Sequence, residues 1–367
     1  MWSAHSAGGA ERLSITFRGW GRSGCAETPC VKRVVRSADR EAVNTSSKPW
    51  RVLVTGAGGF VGAAVCTRLL EEGHTVVAAC RPGGPPLLVA GSPLEQLEAD
   101  LRDPDAFRPL VRAARPDMAV HLAAVRAVVR SGGVDPDLVA VNALSGMRLA
   151  EELGRVGAAR LVSCGSSSEY GSATTTLVES ASLRPDDAYG ATKAAGAHLA
   201  LAAARAAGVE AVHLRPFSVY GAGEREERLV AGLLRALVEG RHVALTDGRQ
   251  ARDFVYVDDV AGAVVRALTA RDVDGEAINV GTGVETTVRH LALLAADIAG
   301  ADRSLLGFGE LPYRPAERFG WRASTRKALD LLRWQATTPL TVGLEHTLDA
   351  MRASLTREAN ARRRSAA

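Results

Sequence analysis

From Arg51 onward the chain alternates short, nearly continuous apolar runs with longer stretches whose apolar positions recur at helical spacing. "RVLVTG" reads as a strand entering a glycine turn, "VGAAVCTRLLEEG" as an Ala/Leu helix stopped by Gly73, and "HTVVAAC" as a second strand. The alternation continues through "PLEQLEAD", "DMAVHLAA", "AARLVSCGS" and "VEAVHLRP", with a helix-length segment between one and the next. Such a pattern predicts a parallel sheet covered by helices on both faces, its strands apolar throughout because neither face meets water. After Pro216 the regularity breaks. Helices at about 226–239, 258–269, 286–299 and 339–356 mix with short strands, predicting a smaller lobe partly woven back into the first. The expected class is α/β, a doubly wound parallel sheet followed by a smaller mixed lobe. The expected boundaries are 49–215 for the first domain, with 253–280 partly woven in, and 216–252 plus 281–358 for the second.

Residues 1–48 show neither period and are rich in Gly, Ser and Arg, so a disordered extension is expected there, with a disordered tail over 359–367. The extension lacks the apolar core of a secretory signal and carries more acids than a transit peptide, and Val43 stands where a later start would fall. It also holds the charge imbalance. Residues 1–50 contain eight Lys or Arg against four acids, equal to the whole chain's +4, so the remainder is neutral. A neutral folded part has no basic face for a nucleic acid. The longest apolar stretches are too short or too interrupted to span a bilayer. The five cysteines form an odd set without metal-ligand spacing, which fits free thiols in a reducing cytoplasm; no metal site and no membrane contact are expected.

"TGAGGFVG" sets Gly56, Gly59 and Gly62 directly after a strand and at the opening of a helix. Glycine permits the tight turn and lets backbone N–H groups and the helix N-terminus meet a pyrophosphate, so this segment predicts a dinucleotide site. At the end of the second strand an acid would accept hydrogen bonds from the adenosine ribose, but the chain has Cys80 followed by Arg81. A guanidinium favours a 2′-phosphate, so NADP(H) is expected, with NAD(H) as the alternative. Asp100 and Leu101 are placed to meet the adenine, and the small residues of "HLAA" to meet the cofactor. His121 in that segment reads as a core histidine. Asp258 and Asp259 read as caps of the helix that follows them.

"SCGSSSEYG" and "YGATK" carry the candidate chemistry. Tyr189 and Lys193 are four apart on a predicted helix and share a face. A phenol ordinarily keeps its proton to about pH 10, and a neighbouring ammonium eases its release. A serine hydroxyl at the preceding strand end would orient a substrate oxygen and complete the set.

In their order, "TGAGGFVG", "DLRD", "HLAA", "SSSEYG", "YGATK", "LRPFSVYG", "RDFVYVDDVA" and "NVGTG" resemble the nucleotide-sugar epimerase/dehydratase family, the extended short-chain dehydrogenases/reductases, over about residues 50–350. The resemblance implies a Rossmann domain, a C-terminal lobe that holds a nucleoside-diphosphate sugar, and a homodimer built from helix pairs such as 104–114 and 136–153. It places the active hydroxyl on Ser166, four residues before Tyr170, beside Tyr189 and Lys193. Cofactor contacts then fall on Gly56, Gly59, Phe60, Gly62, Arg81, Asp100, Leu101, Ala123, Tyr189 and Lys193. Substrate contacts fall on Ser167, Ser168, Ser218, Arg228, Arg252 and Arg314, although the family often has Asn at the position of Ser218.

At Ser167 and Ser168 the sugar 4,6-dehydratases carry Asp and Glu. The Cys and His of the epimerase-reductases are likewise absent, at Ser168 and around Gly223. A serine hydroxyl cannot deprotonate a sugar carbon in their place. What remains is alcohol–ketone interconversion by hydride transfer. The expected activity is NADPH-dependent reduction of a nucleotide-linked 4-keto-6-deoxyhexose, with a 4-epimerase that retains NAD as the alternative.

Overall fold

The computed structural model describes residues 49–84, 87–89, 92–126, 134–173, 175–313 and 320–365; the extension expected over 1–48 lies outside them. The first half runs β1 (Arg51–Thr55), α1 (Phe60–Glu71), β2 (Thr75–Cys80), β3 (Glu95–Glu98), α2 (Phe107–Ala114), β4 (Met118–His121), α3 (Ser145–Val156), β5 (Arg160–Cys164), α4 (Ala188–Ala207) and β6 (Glu210–Pro216). The second half runs β7 (Ser218–Tyr220), α5 (Leu229–Val238), β8 (Val243–Leu245), β9 (Phe254–Tyr256), α6 (Val257–Thr269), β10 (Ala277–Val280), α7 (Val288–Ala299), β11 (Leu306–Phe308) and α8 (Leu340–Ser365).

Seven strands form one parallel sheet in the order β10-β6-β5-β4-β1-β2-β3. Alternation along β1 divides the core. Val52 and Val54 face α1 and α6 with Val65, Leu69, Val260 and Val264, while Leu53 faces α2, α3 and α4 with Phe107, Leu149 and Leu153. Each such side chain, fully withdrawn from water, contributes about 1.5–3 kcal/mol. Helices α3 and α4 approach closely through small residues. A Cβ added at Gly146 would lie 3.1 Å from the Cβ of Ala200, and one at Gly154 would overlap Ala207.

The second lobe has its own core, in which Leu233, Leu234, Leu291 and Leu344 pack around Tyr220 and Tyr256. It is joined to the sheet twice, since α6 packs on α1 and β10 pairs with β6. Asp253, fully buried, holds the returning chain: its carboxylate accepts from Thr282 N (2.8 Å), Thr282 Oγ1 (2.7 Å), Gly283 N (2.9 Å) and Ala323 N (3.1 Å).

Two expectations change. Helix α8 continues to Ser365, beyond residue 359 where a tail was expected, because "TREANARRRS" consists of helix-tolerant residues with no Gly or Pro. Asp259 does not cap α6. Its carboxylate accepts from Thr337 N (3.1 Å), Thr337 Oγ1 (3.1 Å) and Thr338 N (3.0 Å), tying the approach to α8 onto α6. No helix among the described residues is long and apolar enough to cross a membrane.

Candidate active site

The glycine turn is a cradle with backbone walls. Gly56 adopts φ 70°, and a Cβ there would lie 2.7 Å from Ala123 N and 2.8 Å from its Cα. A Cβ at Gly62 would overlap the Gly56 carbonyl oxygen. The strand end, the turn and "HLAA" are thus pressed together. Among the described residues no side chain caps α1 at Gly59, which leaves the N–H groups of its first turn for a ligand. Phe60 is half-buried at its first position. This cradle fits the pyrophosphate of a dinucleotide.

Around the adenosine end the expected residues lie at neighbouring strand ends. Arg81 is exposed just beyond β2, and Leu101 is buried. Asp100 is engaged by Arg102, whose Nη2 lies 2.6 Å from Oδ2 and whose backbone N lies 3.0 Å from Oδ1; these bonds hold the carboxyl below its ordinary range. Glu98 stands opposite Cys80 in the register, beside the place where a ribose-binding acid was sought, and accepts from Gly83 N at 3.3 Å.

The catalytic candidates converge at the C-terminal end of β5. After Gly165 the chain enters a short 3-10 turn over Ser167–Tyr170. Ser166 precedes the turn, and its Oγ accepts from Ser168 N at 3.1 Å, so its own proton is available to another oxygen. Helix α4 abuts this turn at Gly190, where a Cβ would overlap the Ser168 carbonyl oxygen. Asp187 caps α4, accepting from Gly190 N at 2.6 Å, which fixes the turn that carries Tyr189. Lys193, one turn on, is buried and donates from Nζ to Cys164 O at 2.5 Å. Tyr189 is half-buried, with the Arg126 guanidinium 5.3 Å from its ring centre.

Under these groups lies a polar row that the sequence analysis missed. Register aligns Thr55, His121, Ser163 and His213 across four adjacent strands. His121 Nδ1 meets Thr55 Oγ1 at 2.7 Å, and its Nε2 meets Ser145 Oγ at 2.8 Å. Because Ser145 donates to Val141 O, the network assigns the ring proton to Nε2. Burial, with Lys193 and His213 nearby, pushes His121 down to about 3, so it is a neutral core histidine as its sequence context suggested. Asn142, within a π-type turn leading into α3, pairs with both Val125 backbone groups (2.9 and 2.8 Å) and reaches Thr192 Oγ1 at 3.3 Å. It thereby joins the segment after "HLAA" to α4. Only its place before the α3 helix could have drawn attention to it.

Among the expected substrate contacts, Ser167 is buried and Ser168 half-buried beneath α4. Ser218 is half-buried on β7, opposite Phe254. Arg252 stands 5.4 Å from the Trp321 ring centre, and Arg228, at the cap of α5, lies 3.3 Å from Glu224. Glu224 is itself a missed candidate. Its side chain is only 4% exposed, its Oε2 has no hydrogen-bond partner among the described residues, and burial pushes it up to about 8. Arg314 lies outside the described residues.

A profile of the NAD dependent epimerase/dehydratase family matches residues 52–281, from the first strand of the sheet to its last. The chain belongs to this family. It is 32% identical over 316 residues to a UDP-glucose 4-epimerase of Mycolicibacterium smegmatis, covering 82% of this chain and 98% of that one. It is 31% identical over 265 residues to a dTDP-6-deoxy-L-talose 4-dehydrogenase (NAD(P)(+)) of Kitasatospora kifunensis, covering 69% and 80% of the two chains. The solved structure of MoeE5 in complex with UDP-glucuronic acid and NAD superposes with a TM-score of 0.72 at 33% identity, covering 83% of this chain and 99% of that one. This family member is therefore an enzyme with the extended short-chain dehydrogenase/reductase fold that acts on nucleotide sugars.

Proposed function

We propose that the protein interconverts the C4 alcohol and ketone of a nucleoside-diphosphate hexose as a 4-epimerase that retains its nicotinamide dinucleotide. The observation that carries this reading is the Ser166, Tyr189 and Lys193 set at the end of β5, with hydroxyls rather than carboxylates at positions 167 and 168. A bound nicotinamide would accept and return hydride; the Gly56–Phe60 cradle and Lys193 would hold the cofactor.

Tyr189 moves the proton at the sugar O4, releasing it to the oxygen or taking it up. Lys193, pinned by the Cys164 carbonyl, places an ammonium donor one helical turn from Tyr189 on the same face of α4. Ser166 donates its free proton to the same oxygen and fixes its position. Positions 167 and 168 carry no carboxylate, and Glu169 of the same turn is fully buried and held by His213 and Arg215, so proton removal from carbon and elimination of water are disfavoured. We assign the nucleoside diphosphate to Arg228, Arg252 and Arg314, with Ser167, Ser168 and Ser218 nearer the sugar, and the working form to a homodimer. The epimerase relative and the NAD-bound neighbour support the reading.

A second reading rests on the end of β2. Cys80 and Arg81 replace the ribose-binding acid there, which favours NADPH and net reduction of a 4-keto-6-deoxy sugar, and the 4-dehydrogenase relative is in keeping with it. One experiment separates the two. Purified protein is given UDP-glucose or UDP-galactose without added cofactor, and separately dTDP-4-keto-6-deoxyglucose with NADPH. Conversion of a UDP-sugar to its C4 epimer supports the epimerase. Stoichiometric loss of NADPH with formation of an alcohol establishes the reductase, and turnover in neither arm rejects both.

A further inference from the structure

A group of enclosed charged and polar side chains lies under the serine turn, and the mechanism above does not use it. Glu169 is fully buried. Its Oε1 accepts from Ser166 N at 2.8 Å and meets His213 Nε2 at 3.0 Å, while its Oε2 accepts from Arg215 Nε at 2.8 Å. His213 is steadied from behind by Ser163, whose Oγ lies 2.8 Å from Nδ1. Arg215 also donates to Tyr170 Oη at 3.0 Å, and Tyr170 donates to Asn279 on β10 at 2.7 Å. Gly165 is the clearance this requires, since a Cβ there would overlap both Glu169 Oε1 and His213 Nε2.

A lone buried carboxylate is costly; one held by a guanidinium, an imidazole N–H and a backbone N–H is fixed in place. Burial would raise the Glu169 carboxyl, but His213 and Arg215 outweigh it and hold the group down at about 2. Of its three partners, the backbone N–H belongs to Ser166, the residue whose hydroxyl the proposed mechanism uses. The sheet-borne side chains of β6 therefore reach Ser166 through one carboxylate.

We propose that Glu169 is a positioning residue for Ser166: anchored by Arg215 and His213, it fixes the Ser166 backbone and thereby the placement of the catalytic hydroxyl. The proposal rests on the role of Ser166 given above. A carboxylate used only to stabilise the fold would affect the enzyme whether or not the Ser166 hydroxyl were present. One that works through Ser166 would not.

The test is a double-mutant cycle between Glu169→Gln and Ser166→Ala on whichever nucleotide sugar the wild type converts. Glu169→Gln alone should lower kcat about 10- to 100-fold, the scale of a misplaced reacting group, with KM and cofactor affinity changed little. In the Ser166→Ala background it should lower kcat less than about 2-fold. Equal slowing in both backgrounds overturns the proposal. Should Glu169→Gln not fold, Ser163→Ala, which removes only the hydroxyl behind His213, is taken through the same cycle with a smaller expected loss and the same criterion. A crystal structure of the soluble variant reads the geometry without turnover. Ser166 displaced from its present seat supports the proposal, and Ser166 unmoved overturns it whether or not the assigned activity is correct.

Discussion

Tyr189 and Lys193 occupy successive turns of one helix, but only the lysine is tied into the sheet, through the carbonyl of Cys164. Among the described residues no hydrogen bond engages the phenol hydroxyl, which suits it to exchange a proton with a ligand. Tyr189→Phe should therefore reduce turnover by about 10²-fold or more while nicotinamide binding stays within a few-fold, measured by steady-state kinetics and calorimetry. Equal loss of both would make the tyrosine a binding residue. His121 carries a different consequence. It is neutral in the fold and pushed down to about 3, whereas an unfolded histidine takes its proton near pH 6.5. Between those values the unfolded chain holds more protons, so stability falls as pH falls through this window, by about 1.4 kcal/mol per unit at most. His121→Gln should flatten this limb in denaturant titrations run from pH 7 to pH 4; an unchanged slope would assign the acid sensitivity elsewhere. Residues visible from sequence were those whose chemistry is local, such as the glycines of the turn and the Tyr–Lys pair on one helical face. Glu169, His213 and Arg215 were not legible, because strand register and a Cβ-free position at Gly165 bring them together, and neither shows as a short-range pattern.

At the scale of elements, α4 is the part whose placement decides the site. Its first turn bears Tyr189, its N-terminus is capped by Asp187, and Gly190 lets it press on the serine turn. Asp187→Ala should cost about 1 kcal/mol, the usual value of a lost cap, and lower kcat more than it raises KM because the frayed turn carries the phenol. Thermal melts and kinetics together check this; a fall in Tm with kcat intact would mean the turn holds without its cap. The α1 turn is less forgiving. Gly56→Ala sets a Cβ against the backbone of Ala123 and strains a left-handed residue, so a loss of about 1–3 kcal/mol with failure of cofactor retention is expected, read by Tm and by dinucleotide released on denaturation. The alternation of apolar runs made the sheet and its covering helices readable. It could not show that Asp259 serves α8 rather than α6, because both roles ask the same of the sequence: an acid in the first turn of a helix.

Across the whole molecule, the sheet is finished by a strand that arrives late. β10 at residues 277–280 lies beside β6, and α6, which covers one face of the sheet against α1, is separated from β6 by the first part of the second lobe. The profile match ending at residue 281 takes in this last strand, so the matched segment reaches as far as the strand that completes the sheet. Residues 43–216 expressed alone should be insoluble or bind dinucleotide poorly, since β6 becomes an open edge and the face beneath α6 is exposed to water. A soluble fragment with full cofactor affinity, measured by calorimetry, would show the later segments to be dispensable.

The same threading sets a schedule for synthesis. A chain emerging from the ribosome can assemble the strands from β1 to β6 early, yet their outer edge and one apolar face stay bare until the segment through Val280 has left the exit tunnel. During that interval the nascent protein presents the kind of surface that chaperones hold and that neighbouring chains join. Slowing translation before that point prolongs the exposure, and slowing it just after gives the last strand time to dock.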